Sequence, residues 1–158
     1  MSVKRKIACA VLTLLTLATL AFIFSNSIKT AEQSIQQSDA VTDVIQGVVD
    51  VVIPSNPPKV TSSFVRNFAH FAEFAVLGFL SLLTYCAYTD KKVFIFFVPI
   101  FNLLVTVADE LLQSLSDGRG TEIKDMLTDF GGAIIGMAIA FGVYLLFKKF
   151  YLDRRARI

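Results

Sequence analysis

Apolar and polar positions in this chain alternate in long blocks rather than residue by residue. Four blocks stay apolar for close to the length of a membrane helix: Ile7–Phe24, Phe68–Tyr88, Val93–Ala108 and Phe130–Phe147. Crossing about 30 Å of hydrocarbon takes roughly 20 apolar residues in a helix. The third block is short, but the following DELLQSL continues its helix through Gln113. The expected fold class is therefore an all-α membrane protein. Its four transmembrane helices fall at about 7–24, 68–88, 93–113 and 130–147, in a single domain covering residues 1–158.

The connections carry their own pattern. In SDAVTDVIQGVVDVV, Val41, Val44, Ile45, Val48 and Val52 recur at helical spacing, with Asp39, Asp43 and Asp50 mostly off that stripe. Residues 39–53 are expected to form an amphipathic helix on the outer surface, either a lid or a plain cover. Ser38 or Asp39 would cap it, and Pro54, Pro57 and Pro58 would end it. The preceding SNSIKTAEQSIQQS reads as loop or frayed helix. The short TDKK loop makes the second and third spans antiparallel neighbours. In SLSDGRGTEIKD, Asp117-Gly118 and Gly120 supply turn chemistry, and Thr121 can cap the last helix.

Composition agrees with lipid as the solvent: 54% of residues are hydrophobic and only 18% charged, against roughly 25% charged in soluble domains. No Lys or Arg cluster is interleaved with aromatics in the manner of a nucleic-acid surface. Lys4, Arg5 and Lys6 precede the first block as they would in a signal peptide. Its apolar run exceeds the usual h-region, so a retained anchor is expected. With the N-terminus inside, ten of the 15 Lys and Arg fall on the inner side, which puts both termini in the cytoplasm. Eleven of the 13 acids fall outside or near the outer interface. Cys9 and Cys86 read as small apolar residues rather than a disulfide or a metal pair.

The acids and their polar neighbours form strips. Arg66, His70, Glu73 and Leu77 share one helix face; Asn102, Thr106, Asp109 or Glu110, and Gln113 share another; Asp125, Asp129, Gly132 and Gly136 share a third. At 1.5 Å per residue, Glu73 lies roughly 7 Å inside its apolar block, and Asp109 roughly 24 Å along its own, the matching level. Ionisable residues at such depth face the protein interior or a wet cavity. Gly132 and Gly136 suit close helix packing.

A pocket holding Glu73, Asp109, Glu110, Asp125 and Asp129 cannot keep every carboxylate ionised without compensation. Either some are protonated and poised for acid–base chemistry, or a divalent cation compensates them. Oxygen ligands such as Asp109, Glu110 and Asp125 favour Ca²⁺ or Mg²⁺ over zinc. Arg119, between two glycines, suits a bidentate grip on phosphate. A phospholipid or polyprenyl-phosphate head group fits that combination.

FIFSNS after the first span, HFAEFAVLG, and ADELLQSLSDGRGTEIKDMLTDFGGAIIG together resemble the VanZ-like family of bacterial membrane proteins. The third stretch carries Asp109, Glu110, Gln113, Arg119, Asp125, Gly132 and Gly136 at the family's spacing. Asp129 stands where the family commonly has Asn, and Leu112 where many members have a polar residue. The resemblance implies a location in the bacterial cell envelope and a link to teicoplanin-type glycopeptide resistance. It also implies kinship with four-helix membrane proteins proposed to act on lipid head groups.

These readings assign roles as follows. His70 is the expected general base or nucleophile and Glu73 orients it; Asp109, Glu110 and Asp125 bind a cation or shuttle protons. Arg119 and Arg66 hold phosphate, while Gln113 and Asp129 line the substrate. Two other functions stay open: a non-enzymatic lipid- or antibiotic-binding envelope protein, and a small transporter or flippase subunit. Against the latter, the inner halves of the spans offer almost no ionisable residues for a relay.

Overall fold

A computed structural model describes residues 2–89, 95–120 and 122–155, with side chains through 149. The described residues form five helices: α1 (Val3–Ser27), α2 (Ala31–Val52), α3 (Ser62–Tyr88), α4 (Phe97–Ser114) and α5 (Ile123–Arg155). Four are long and apolar enough to cross a membrane: α1, α3, α4 and α5 through Lys149. Each expected span thus has its helix, longer than the apolar block in three cases. Polar caps add the extra turns: the Ser2 hydroxyl accepts from the Arg5 amide at 3.3 Å, and the Thr61 hydroxyl from the Phe64 amide at 3.3 Å.

The third span is shorter than expected at its start. Ile95 and Phe96 form a turn and the helix begins at Phe97, with Pro99 in the first turn, where its missing N–H costs nothing. Residues 93–94, the TDKK loop beyond Thr89 and the Thr121 cap lie outside the described residues. In the other loop Gly118 takes φ +77°, the left-handed conformation its turn requires.

The most extensive helix pairing joins α3 and α5. Three glycines let their backbones touch. A Cβ on Gly136 would stand 1.8 Å from the Ala75 carbonyl oxygen, one on Gly132 2.3 Å from that of Phe71, and one on Gly78 2.1 Å from that of Ala133. Lipid tails are as apolar as leucine, so close backbone packing rather than apolar burial drives such pairs together. The packing role expected for Gly132 and Gly136 is thus realised. Gly78 answers them from α3. Below the polar end, Ile23, Phe74, Leu77, Val105 and Ala133 form one apolar cluster. Further along, Leu82, Val98, Met137 and Ala140 form a second.

The connection after α1 differs from expectation in two ways. Its helix starts at Ala31 rather than at residue 39, because Thr30 and Gln33 form a reciprocal capping box and Ser38 and Asp39 cap nothing. Residues 31–38, expected as loop or frayed helix, are its first two turns. The packing face is also not the apolar stripe. Ser34, Ser38 and Thr42 are buried, whereas Val41, Val44, Ile45, Val48 and Val52 are exposed. Small hydroxylated side chains permit a close approach, and two of them return their hydroxyls to their own helix: Ser38 to the Ser34 carbonyl at 2.9 Å and Thr42 to that of Ser38 at 2.7 Å. The helix is tied down by the Ala31 amide to the Asp117 carbonyl at 3.1 Å, by Ser62 donating to Asp39, and by the Val60 amide to Gln46 at 2.8 Å.

Candidate functional site

One end of the bundle gathers the ends of α1 and α4 with the beginnings of α3 and α5, and α2 lies over it. All three polar strips meet there. His70 lines three adjoining cavities. The first, about 150 Å³, is walled by Lys29, Ser34, Arg66, Glu73 and Arg119. The second, about 190 Å³, brings in Gln113 and Asp125 beside Arg66 and Arg119. The third, a small crevice, adds Thr128 and Asp129 to Gln113 and Asp125. Chain segments far apart in sequence thus surround a single imidazole.

Asp109 is 0% exposed yet fully engaged. The Ser27 hydroxyl donates to its Oδ1, and Gln113 Nε2 donates to its Oδ2 at 2.7 Å. Gln113 therefore holds Asp109 one helical turn away, a use for that residue beyond contact with a ligand. Asn102 and Thr106, lower on the same face, are buried as the strip implies; Asn102 Nδ2 donates to the Ser81 hydroxyl at 2.9 Å.

Glu110 is buried as well, but turns the other way. Its Oε1 accepts from the Glu122 amide at the approach to α5, where the positive end of the helix dipole favours a carboxylate. Glu110 Oε2 is buried without a partner. The expected cation set of Asp109, Glu110 and Asp125 is accordingly not the one assembled. Among the described residues the grouping with ligand spacing is His70, Asp109 and Asp129, one donor atom of each lying within 4.8 Å of the others.

Glu73 also has a different partner from the one expected. Its Oε1 accepts from Asn26 Nδ2 at 2.9 Å, and its Oε2 is buried and unpaired. Asn26 Oδ1 in turn accepts from Lys29 Nζ at 2.8 Å, and Lys29 also reaches Gln37 at 3.0 Å. Among the described residues no hydrogen bond links Glu73 to His70, and the carboxylates grouped with His70 at ligand spacing are Asp109 and Asp129. His70 Nδ1 is itself buried and unpaired.

Arg119 spans the site's roof and wall. Its guanidinium donates to the Ser34 hydroxyl on α2 at 2.7 Å and reaches the Ser27 carbonyl at 3.5 Å. Burial, together with the nearby Arg66, holds its pKa below the ordinary arginine value; a guanidinium nonetheless stays cationic in proteins.

Four residues of this end escape the strip search: Asn26, Ser27, Lys29 and Ser34. For Asn26 and Ser27 the signal is in the sequence, because a polar SNS closes an otherwise apolar span. Polar residues that end an apolar helix look like ordinary boundary residues until the neighbour that they bond is known.

Residues 11–148 match the VanZ/LLP1 family. The chain belongs to that family. The match runs through all four spans, so the polar end and its covering helix both lie within the family's extent. No curated protein and no solved structure matches this VanZ-family chain.

Proposed function

We propose that this VanZ-family membrane protein binds a phosphate-bearing lipid head group, of a phospholipid or a polyprenyl phosphate, in the cavity beneath α2, and that it modifies that head group. The observation that carries the reading is the join of two unlike cavities at Glu73. On one side lies the chamber with Lys29, Arg66 and Arg119, three cations within an otherwise uncharged or acidic surface. On the other lies an apolar groove of about 450 Å³ between α1 and α3, walled by Leu15, Ala18, Phe22, Ala72 and Val76, with Glu73 again at its edge. A polar head and an apolar tail would each find a matching surface without the lipid leaving the membrane plane. The exposed valines of α2 fit the same picture, since an interfacial helix turns its apolar face to the acyl boundary.

Within that chamber His70 is the candidate general base or nucleophile and Arg119 and Arg66 the phosphate grip, with Asp125 a carboxylate of the adjoining cavity. The positive-inside distribution of Lys and Arg supports an orientation with this end at the outer face of a bacterial cytoplasmic membrane. Cysteines replacing Ser55 and Asp117 would then label from outside intact cells, and one replacing Asp90 would not; labelling of Asp90→Cys in sealed cells reverses the topology. Family membership supports a link to glycopeptide resistance of the teicoplanin type.

The test is purified protein presented with phosphatidylglycerol, undecaprenyl phosphate, a phosphate-free glycolipid and soluble glycerol 3-phosphate. Native mass spectrometry reads binding, and lipid mass reads conversion. Retention of the two phosphate lipids, with glycerol 3-phosphate held more weakly, is expected. Equal retention of the phosphate-free glycolipid overturns the phosphate reading, and equal affinity for glycerol 3-phosphate overturns the lipid reading.

A further inference from the structure

We infer that His70, Asp109 and Asp129 form a binding site for a divalent transition-metal ion of the Mn²⁺ or Zn²⁺ class. The three residues come from α3, α4 and α5, so only the tertiary fold brings them together. One imidazole nitrogen and two carboxylate oxygens lie mutually within 4.8 Å. Donors at about 2.0–2.2 Å from a common ion stand up to roughly 4 Å apart, so side-chain adjustments of under about 1 Å close the set.

Burial supplies the independent observation. Asp129 is 2% exposed, and no hydrogen bond reaches it among the described residues. His70 Nδ1 is also buried without a hydrogen-bond partner. Two inward carboxylates and an unsatisfied imidazole are costly to bury, and one cation answers all three at once. Asp109 is already oriented as a ligating carboxylate usually is, with each oxygen held by an outer donor, Ser27 or Gln113. The crevice lined by His70, Gln113, Thr128 and Asp129 gives an ion a way in.

The donor set selects the ion. Ca²⁺ takes six to eight oxygens, and Mg²⁺ prefers an all-oxygen octahedron. One imidazole with two carboxylates suits Mn²⁺ or Zn²⁺ and leaves coordination positions open. His70 also lines the cationic chamber, so the cluster adjoins the space assigned above to phosphate. The site itself stands on the buried cluster alone and does not depend on the lipid reading. An ion there would hold His70 as a ligand, so the general-base role proposed above belongs to the ion-free protein.

The test uses the full-length protein in detergent, stripped with a chelator and titrated with Mn²⁺ or Zn²⁺, without any lipid or turnover. Elemental analysis after desalting should find one ion per chain, and pulsed electron paramagnetic resonance of the Mn²⁺ form should show coupling to an imidazole nitrogen. Asp129→Asn, near-isosteric and neutral, should weaken binding about tenfold or more, whereas Asp43→Asn on exposed α2 should not. The nitrogen coupling is read on the unaltered protein, so a misfolded variant does not remove the test. Absence of a stoichiometric ion, absence of nitrogen coupling, or equal binding by Asp129→Asn overturns the site. If Asp129→Asn instead stabilises a protein that binds no ion, the carboxylates share a proton, and that too overturns it.

Discussion

The two ends of this bundle are packed by opposite means. At one end Leu82, Val98, Met137 and Ala140 meet as apolar side chains, with Phe79, Leu83 and Tyr85 around them. At the other, Ser27, Asp109, Glu110, Gln113 and Asp129 are just as buried but polar, and Glu110 Oε2 has no partner there. A chain selected for stability alone has no reason to prefer the second arrangement: a charged residue costs roughly 2.5–3.5 kcal/mol at a membrane helix centre, less near an end. The apolar end with the α3–α5 glycine seam holds the helices in place. The polar end uses the placement they provide.

The seam between the two ends is where the largest effect is expected. Gly136→Leu forces a side chain where even a Cβ stands 1.8 Å from the Ala75 carbonyl, so α3 and α5 must separate. A loss of at least about 3 kcal/mol should follow, read as a collapsed thermal transition and a broadened gel-filtration peak in detergent. Unchanged melting would mean that the seam does not hold the bundle. Next comes Leu82→Ala at the apolar end, expected to cost about 2 kcal/mol, the low end for such truncations because detergent and lipid tails replace the lost contacts. Phosphate-lipid binding by the folded protein should survive it; its loss would tie the two ends together and break the contrast. Arg119→Gln at the polar end should lower phosphate-lipid affinity by about 1.5–3 kcal/mol, the range for a hydrogen bond to a charged group. Its thermal transition should move less than that of Leu82→Ala, since only the tie from Arg119 to Ser34 and the Ser27 carbonyl is lost. An Arg119→Gln protein that binds phosphate lipids normally would leave the chamber without its grip.

Much of the fold can be read in the sequence because apolar length reports directly on spans, and the three polar strips are legible because helical spacing puts their members on common faces. Their convergence also follows from depth: Glu73 and Asp109 reach one level when counted along their own helices. What spacing cannot supply is the partner of each side chain. Glu73 lies one turn from His70 yet bonds Asn26 on α1, and Glu110 adjoins Asp109 yet turns to the Glu122 amide. The covering helix misleads for a different reason. Hydrophobic periodicity assumes that the apolar face is the packed one, whereas α2 packs through Ser34, Ser38 and Thr42 and leaves its valines outward. Near a bilayer both faces of a helix have a favourable surface to meet, so periodicity finds the helix without saying which way it faces.

The central claim is that the polar end exists for binding and chemistry rather than for holding the fold together. His70→Leu combined with Glu73→Leu tests it most directly, because it replaces two costly groups with side chains that lipid and protein both accept. Thermal unfolding in detergent and retention of phosphate-bearing lipids should be measured on the same preparation. The account predicts a transition at or above that of the unaltered protein, with lipid retention and conversion lost. A variant that melts lower and still retains and converts the lipid would contradict it, and would make the polar pair part of the scaffold.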